Sequence, residues 1–380
     1  MMSTLLSVSL LSGTASAAES ASIQLTFNNG GTLSSVVSDQ ALIKGGVSYF
    51  PAYIARAAGL EISWDRSSGR AVFRGWDKSF AVRLGSRTGI LDGKTIDLGR
   101  EPFLHNNQLF VPAKFLVKAL EGGTLRWNAE KRTFYANNLH LYRKYSETYK
   151  GSIYSVSLDT GELRVSSGMG GSVKIADLGT GLDVLDFTFE QTPGGLLVMR
   201  IRNNYGEPHV HNEWITLVLK NSSVIRQTST SFNTTFSEPS LWWDGRLLLS
   251  DGRTLRIIED GTGDVVESID LGALMSEVPS SGYDATNVTY NVEAWDDDFA
   301  LIRPGNTGLL TLVDRTAGQR IPLYREFFGP EKQKELELTD PMFPGDKLRF
   351  AGRSGNILKF TRGSGEDFAE FTYDLSKPQR

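Results

Sequence analysis

Residues 40 to 136 hold an internal duplication, and a repeated unit limits the fold of its region more than any single motif does. The first copy reads "QALIKGGVSYFPAYIARAAGLEISWDRSSGRAVFR" and the second "EPFLHNNQLFVPAKFLVKALEGGTLRWNAEKRTFYA". Phe50-Pro51-Ala52 matches Val111-Pro112-Ala113, and Trp64-Asp65 matches Trp127-Asn128. Each copy opens on a two-residue turn, Gly45-Gly46 or Asn106-Asn107, followed by a short apolar strand ending at Pro. Pro suits the first helical position, where its missing N–H costs nothing. Helical spacing follows, through Ile54, Ala57 and Ala58 in one copy and Phe115, Leu116, Ala119 and Leu120 in the other. Gly59 and Gly122-Gly123 are the expected left-handed stops. A strand with the Trp, a polar turn and another strand complete each copy. Between the copies, "FAVRLGSRTGILDGKTIDL" alternates as a hairpin that turns at Asp92-Gly93.

This pattern resembles the copper amine oxidase-like N-terminal domain, or stalk domain, of secreted proteins from Gram-positive bacteria. The residues that carry it are "GGVSYFPAYIARAAGLEISWD", "ILDGKTIDL" and "NNQLFVPAKFLVKALEGGTLRWN". The family usually has Pro-Leu-Arg where this chain has Pro51-Ala52-Tyr53 and Pro112-Ala113-Lys114. The resemblance covers about a quarter of the chain. It implies an α+β module that is not itself catalytic and binds no copper.

The remainder reads as all-β. "GSIYSVSLDTGELRV" is a hairpin around Asp159-Thr160-Gly161. "GRLLLSDGRTLRIIEDGTGDVVESIDL" turns at Asp251-Gly252 and again at Asp260 to Gly263. The same phrase returns around Asp314 to Gly318, around Gly363 to Gly365 and, in a longer version, at Asn221-Ser222. Five such units at intervals of roughly 40 to 60 residues fit the spacing of propeller blades. The format resembles blades of quinoprotein-like and WD40-like propellers, without a Gly-His…Trp-Asp signature. A twisted β-sandwich is the structural alternative. The expected fold class is therefore an α+β N-terminal domain, with a duplicated strand-helix-hairpin unit, followed by an all-β domain of β-propeller type.

The expected organisation is a signal peptide at 1–17, an N-terminal segment at 18–39, the stalk domain at 40–136, a linker at 137–150 and the propeller-like domain at 151–380. The signal peptide rests on the apolar run Leu5 to Leu11 and the small-x-small triplet Ala15-Ser16-Ala17, with cleavage before Ala18. No Lys or Arg precedes Lys44, so a basic n-region is expected upstream of this start. No later apolar run approaches the ~20 residues that span a bilayer, so no transmembrane segment is expected. Forty Lys and Arg against 44 Asp and Glu give a net charge of −4 without a basic block, which argues against nucleic acid. The absence of Cys excludes disulfides and thiol chemistry.

Candidate sites are few. "NNYGEPHVHNEW" puts His209, His211 and Glu213 on one strand face, a start for a zinc or copper site. It also sets Asn204-Tyr205 beside a His-x-His, ingredients of amine oxidase active sites. That chemistry needs a third His, and the other two, His105 and His140, fall outside the propeller region. An exposed hairpin tip leading into a half-solvated strand accounts for the stretch more simply. Glu293 and Asp296, Asp297 and Asp298 form an acidic cluster fit for acid/base work or calcium, or for a solvated turn. Trp242, Trp243 and Trp295 can stack on a ligand or pack between sheets. No catalytic residue, bound metal or cofactor is expected. The expected role is a secreted, non-catalytic protein of the cell surface, whose partner is a cell-envelope polymer or an extracellular protein. The alternative is an extracellular propeller enzyme acting on a carbohydrate or lactone, with metal assistance.

Overall fold

A computed structural model describes residues 18–29, 32–167, 172–206, 211–232, 237–275, 288–338 and 345–376. The expected signal peptide lies outside the described residues. The chain is mostly β, with a few short helices. Among the described residues no helix is long and apolar enough to cross a membrane. Two compact units separate: one holds the described residues up to Ser146 together with Ser155–Thr160, the other Glu147–Tyr154 together with Gly161 onward.

The first unit contains a seven-stranded and a five-stranded sheet. Glu19–Asn29 lies inside the larger sheet, antiparallel to Thr32–Lys44 and parallel to Thr133–His140. Its alternate residues Ala21, Ile23, Leu25 and Phe27 are all buried. The sequence reading opens this domain at residue 40. The structure corrects that, since 18–39 supplies core strands. Nor is 137–150 only a linker, because it holds the end of Thr133–His140 and the strand Lys144–Tyr149.

The turns behave as their residues require. Gly45, Gly46, Asn106, Asn107, Asp92 and Gly93 all have positive φ, as two-residue hairpin loops demand. The segments after the prolines depart from expectation. Ala52–Ala58 is a 3-10 helix, whereas Ala113–Ala119 is α-helical. Pro51 and Pro112 end the preceding strands and occupy the N-cap positions, one position earlier than expected. Gly59 is the left-handed stop of the first helix. In the second, the left-handed residue is Glu121 at φ 56°, not Gly122 or Gly123. Gly122 serves close packing instead, since a Cβ there would lie 2.6 Å from Leu139 Cδ2.

Glu121 accepts that conformation while its carboxylate holds Lys78. Lys78 Nζ donates to Glu121 at 2.7 Å and to Asp92 at 2.9 Å, with the lysine side chain only 6% exposed. Burial lowers the Lys78 pKa, but the bonds to the two carboxylates outweigh it and leave it raised. Bonding to Lys78 lowers Glu121; for Asp92, burial pushes upward and the Lys78 and Ser79 bonds win downward. The raised lysine stabilises below its unfolded pKa of about 10.4, and that contribution fades as pH rises through its folded value. The lowered acids stabilise above about pH 4, and theirs fades as pH falls through the folded values. A urea-midpoint profile of the full chain is thus expected to plateau between about pH 5 and 10. In Lys78→Met the fall on the acid side is expected to be shallower. An unchanged acid limb would show that this cluster contributes nothing.

After the first unit's last long strand come five small sheets, each with strands adjacent in chain order. Sheet I comprises Lys144–Tyr149, Ser152–Ser157, Glu162–Ser167 and Val173–Asp177. Sheet II comprises Val184–Gln191, Leu197–Tyr205, His211–Lys220 and Ser223–Phe232. Sheet III comprises Trp242–Trp243, Arg246–Ser250, Thr254–Ile258 and Val265–Asp270. Sheet IV comprises Tyr290–Trp295, Phe299–Pro304, Thr311–Asp314 and Arg320–Pro322. Sheet V has three strands, Leu348–Ser354, Ile357–Arg362 and Ala369–Asp374. Two turns per phrase imply three strands, and sheets I to IV each have a fourth.

Each sheet packs on the next through apolar faces. Val198 and Val218 of sheet II meet Leu247 and Leu249 of sheet III. Leu255 and Ile257 meet Val292 and Ile302 of sheet IV. Leu301 and Leu312 meet Leu358 and Phe360 of sheet V. This serial stacking of small meanders is propeller-like. Sheet V keeps Arg349, Lys359, Glu370 and Thr372 exposed on its other face.

Candidate functional site

The strand His211–Lys220 places His211 and Glu213 two residues apart, on one face as alternation requires. His209 lies outside the described residues. The His211 ring stacks on Tyr205, its partner on the neighbouring strand, with centroids 5.3 Å apart. Glu213 accepts a hydrogen bond from Asn203 Nδ2 at 3.2 Å and another from Ser229 Oγ. Its carboxylate is thus engaged by two neutral donors. Among the described residues no three His, Asp or Glu side chains group to hold a metal ion.

The acidic and aromatic candidates divide differently. Glu293 faces the interior, where its side chain is 1% exposed and pairs with Arg303. Asp297 is exposed, and its backbone N–H donates to Asp296 Oδ1 at 2.8 Å. Asp296 and Asp298 both meet Arg353, which lies on sheet V 55 residues or more away in sequence. Arg353 reaches Asp298 with two bonds, at 2.7 and 2.6 Å, and Asp296 at 2.9 Å. These bonds, led by those to Asp298, raise the Arg353 pKa. A bidentate guanidinium–carboxylate pair of this kind is rigid as well as charge-compensated.

Trp295 is buried within the contact between sheets III and IV, and its Nε1 has no hydrogen-bond partner among the described residues. Trp242 donates its Nε1–H to Glu190 at 2.8 Å. Trp243 is half-buried. Between Trp243 and Trp295 sits Arg315, its guanidinium 4.3 Å from the Trp295 ring centre and 5.3 Å from that of Trp243. Arg315 also donates to the Asp296 carbonyl, and its backbone N–H to that of Asp298 at 3.0 Å. Arg246 approaches the Trp243 ring at 6.0 Å while paired with Glu259.

The structure therefore gathers Trp243, Trp295, Asp296 and Asp298 into one cluster. It leaves Trp242, His211 and Glu213 out of that cluster. Sequence reading missed Arg315, Arg353 and Arg246. Arg246 follows a turn at Asp244-Gly245, Arg315 opens one after Asp314 and Arg353 lies two residues before Gly355, and that position was the only signal available. Chemically the cluster is a guanidinium stacked on two indoles beside a neutralised acidic turn. It suits planar or sugar-like groups and anions better than it suits proton transfer.

No curated protein matches the chain. Among solved structures, a virginiamycin B lyase from Staphylococcus aureus aligns over 87% of this chain and 88% of its own, at 11% identity and a TM-score of 0.23. A streptogramin B lyase aligns over 87% of both chains at 11% identity and a TM-score of 0.23. The β-propeller domain of the trilobed protease from Pyrococcus furiosus aligns over 83% of both chains at 10% identity and a TM-score of 0.23. Likenesses this slight transfer no activity. The match over the first unit is of another kind: residues 28–136 fit the family model of the copper amine oxidase N-terminal domain.

Proposed function

We propose that this is a secreted, non-catalytic protein of the bacterial cell envelope. The N-terminal domain, which extends to about residue 146, holds it to an envelope polymer or spaces it from the surface. The propeller-like sheets present a binding rim at Trp243 and Arg315, and the buried Trp295 backs the guanidinium. One observation carries the non-catalytic reading: Arg353 ties up both Asp296 and Asp298, the carboxylates best placed for acid/base work. A general acid or base needs a carboxyl free to exchange its proton with substrate. The stacked guanidinium of Arg315 adds support, since pre-set aromatic and cationic surfaces serve recognition.

The test uses the full chain without a His tag. It is expected to sediment with isolated cell-wall sacculi, to hold no stoichiometric metal, and to turn over neither glycans nor lactones. Arg315→Ala is expected to weaken partner binding about 3- to 30-fold, the range of a cation–π contact. Exported protein is expected to begin at Ala18. Turnover lost in Asp298→Asn would overturn the reading. So would a metal lost from the His209→Ala, His211→Ala double variant together with several degrees of melting temperature.

A further inference from the structure

The first unit carries a cleft of about 520 Å³. That volume falls within the roughly 300–1,000 Å³ of small-ligand pockets. Its walls are the turn at Lys44-Gly45, the turn at Leu84-Gly85 and the segment 100–104. Lys44 Nζ lies 4.4 Å over the Phe103 ring, and that ring is fixed by an edge contact with Tyr49 at 4.8 Å and a stack on Phe110 at 5.7 Å. Among the described residues neither Lys44 nor the exposed Arg100 forms an ion pair. The one acid of the lining, Glu101, leans toward Arg87 at 4.0 Å. Tyr49 is only 5% exposed, and burial, then Glu101, raises its pKa, so its phenol stays a donor at neutral pH. Pro102 and Leu104 give the cleft an apolar side, with Leu104 left 49% exposed.

Two cations without an ion pair among the described residues, together with a tyrosine, line one cleft in a chain of net charge −4. They call for an anion. The fork of Arg fits a planar carboxylate with two bonds, and the apolar side fits the C–H face of a sugar ring. We infer that the cleft binds the carboxylate-bearing sugars of an acidic polysaccharide, with Arg100 and Lys44 on the carboxylate, Tyr49 donating to it and Leu104 against the ring. This rests on the attachment reading above and names its chemistry.

Oligogalacturonate is the probe, titrated calorimetrically into the full chain, with dextran, dextran sulfate and polyglutamate as comparisons. Oligogalacturonate is expected to bind and neutral dextran not to. Each of Lys44→Ala and Arg100→Ala is expected to weaken binding about tenfold or more, as loss of a charged hydrogen bond does. Leu104→Ser is expected to weaken oligogalacturonate but not dextran sulfate. No binding, equal binding by the double variant Lys44→Ala, Arg100→Ala, or equal affinity for polyglutamate would each overturn the inference. If the wild type still sediments with sacculi in those cases, the attachment reading stands without it. If the wild type fails to sediment, that reading falls independently.

Discussion

Replacing Arg303 with Met is expected to destabilise the second unit by about 3–5 kcal/mol, the cost of breaking a buried ion pair from one side. Arg303 is 2% exposed and lies between Glu293 and Asp346, at 8% and 0%. Its Nε meets Glu293 Oε1 at 2.5 Å, and its Nη1 meets Asp346 Oδ1 at 2.8 Å. It donates further to the carbonyls of Gly308 and Leu348, so it joins sheet IV to sheet V. Asp346 in turn accepts from the backbone N–H groups of Leu310 and Leu348. Burial works against the charge of Arg303, but its two acids outweigh that and raise its pKa, so it stays ionised. Met fills similar space and leaves two carboxylates with no cation in a dry site. Denaturant unfolding of the full chain reads the loss in the transition that reports the second unit. Replacing only Arg303 and Glu293 by apolar side chains, with Asp346→Asn to keep an acceptor for the Leu310 and Leu348 N–H groups, is expected to cost less than Arg303→Met alone, because no charge is then orphaned. A loss below about 1 kcal/mol for Arg303→Met would mean that water reaches the site and that the triad is not a staple.

This triad shows where sequence reading ends. The turns were legible because Asn, Asp and Gly at positive φ are a local requirement, met at Asp92-Gly93 and Asn106-Asn107 without regard to the rest of the chain. The strand phrases of the five sheets were legible for the same reason: alternation and turn chemistry repeat within ten residues or so. Glu19–Asn29 alternates just as clearly, yet its place in the fold depends on parallel pairing with Thr133–His140, more than a hundred residues on. Glu121 was hidden by two adjacent glycines that looked like better left-handed residues; what favours it is Lys78, over forty residues upstream. The candidate cluster divides along the same line. Trp295 and Asp296 announced themselves by type and adjacency. Arg315 opens an ordinary turn and Arg353 lies in a strand just before one, and only the stacking of sheets III, IV and V brings them to the acids and indoles. Nothing local marks Glu293 as a core residue rather than a fourth member of the acidic run, because its partner is a distant arginine.

Gly345→Ala is expected to cost about 3 kcal/mol or more, although it adds a single methyl group. Gly345 sits at φ 107°, where L side chains are strained whatever space they find. Space is also lacking: a Cβ there would lie 2.3 Å from the Gly308 carbonyl oxygen and 2.9 Å from its carbon. That oxygen accepts from Arg303 Nη1 at 2.6 Å, so the methyl group must push away the strand turn that Arg303 holds. The backbone of Asp346, the next residue, would move with it. Gly355→Ala is the control. It has φ 58° and nothing within 4 Å, so it should cost only the left-handed penalty of about 1–2 kcal/mol. In melting temperature the first variant should fall by several degrees more than the second, at roughly 2–4 °C per kcal/mol for a unit of this size. The double variant Gly345→Ala, Arg303→Met should lose clearly less than the sum of its parts, because both changes act through the Gly308 carbonyl. Strict additivity would mean that the methyl group is absorbed elsewhere and that the turn at Gly308 and the buried triad are separate devices.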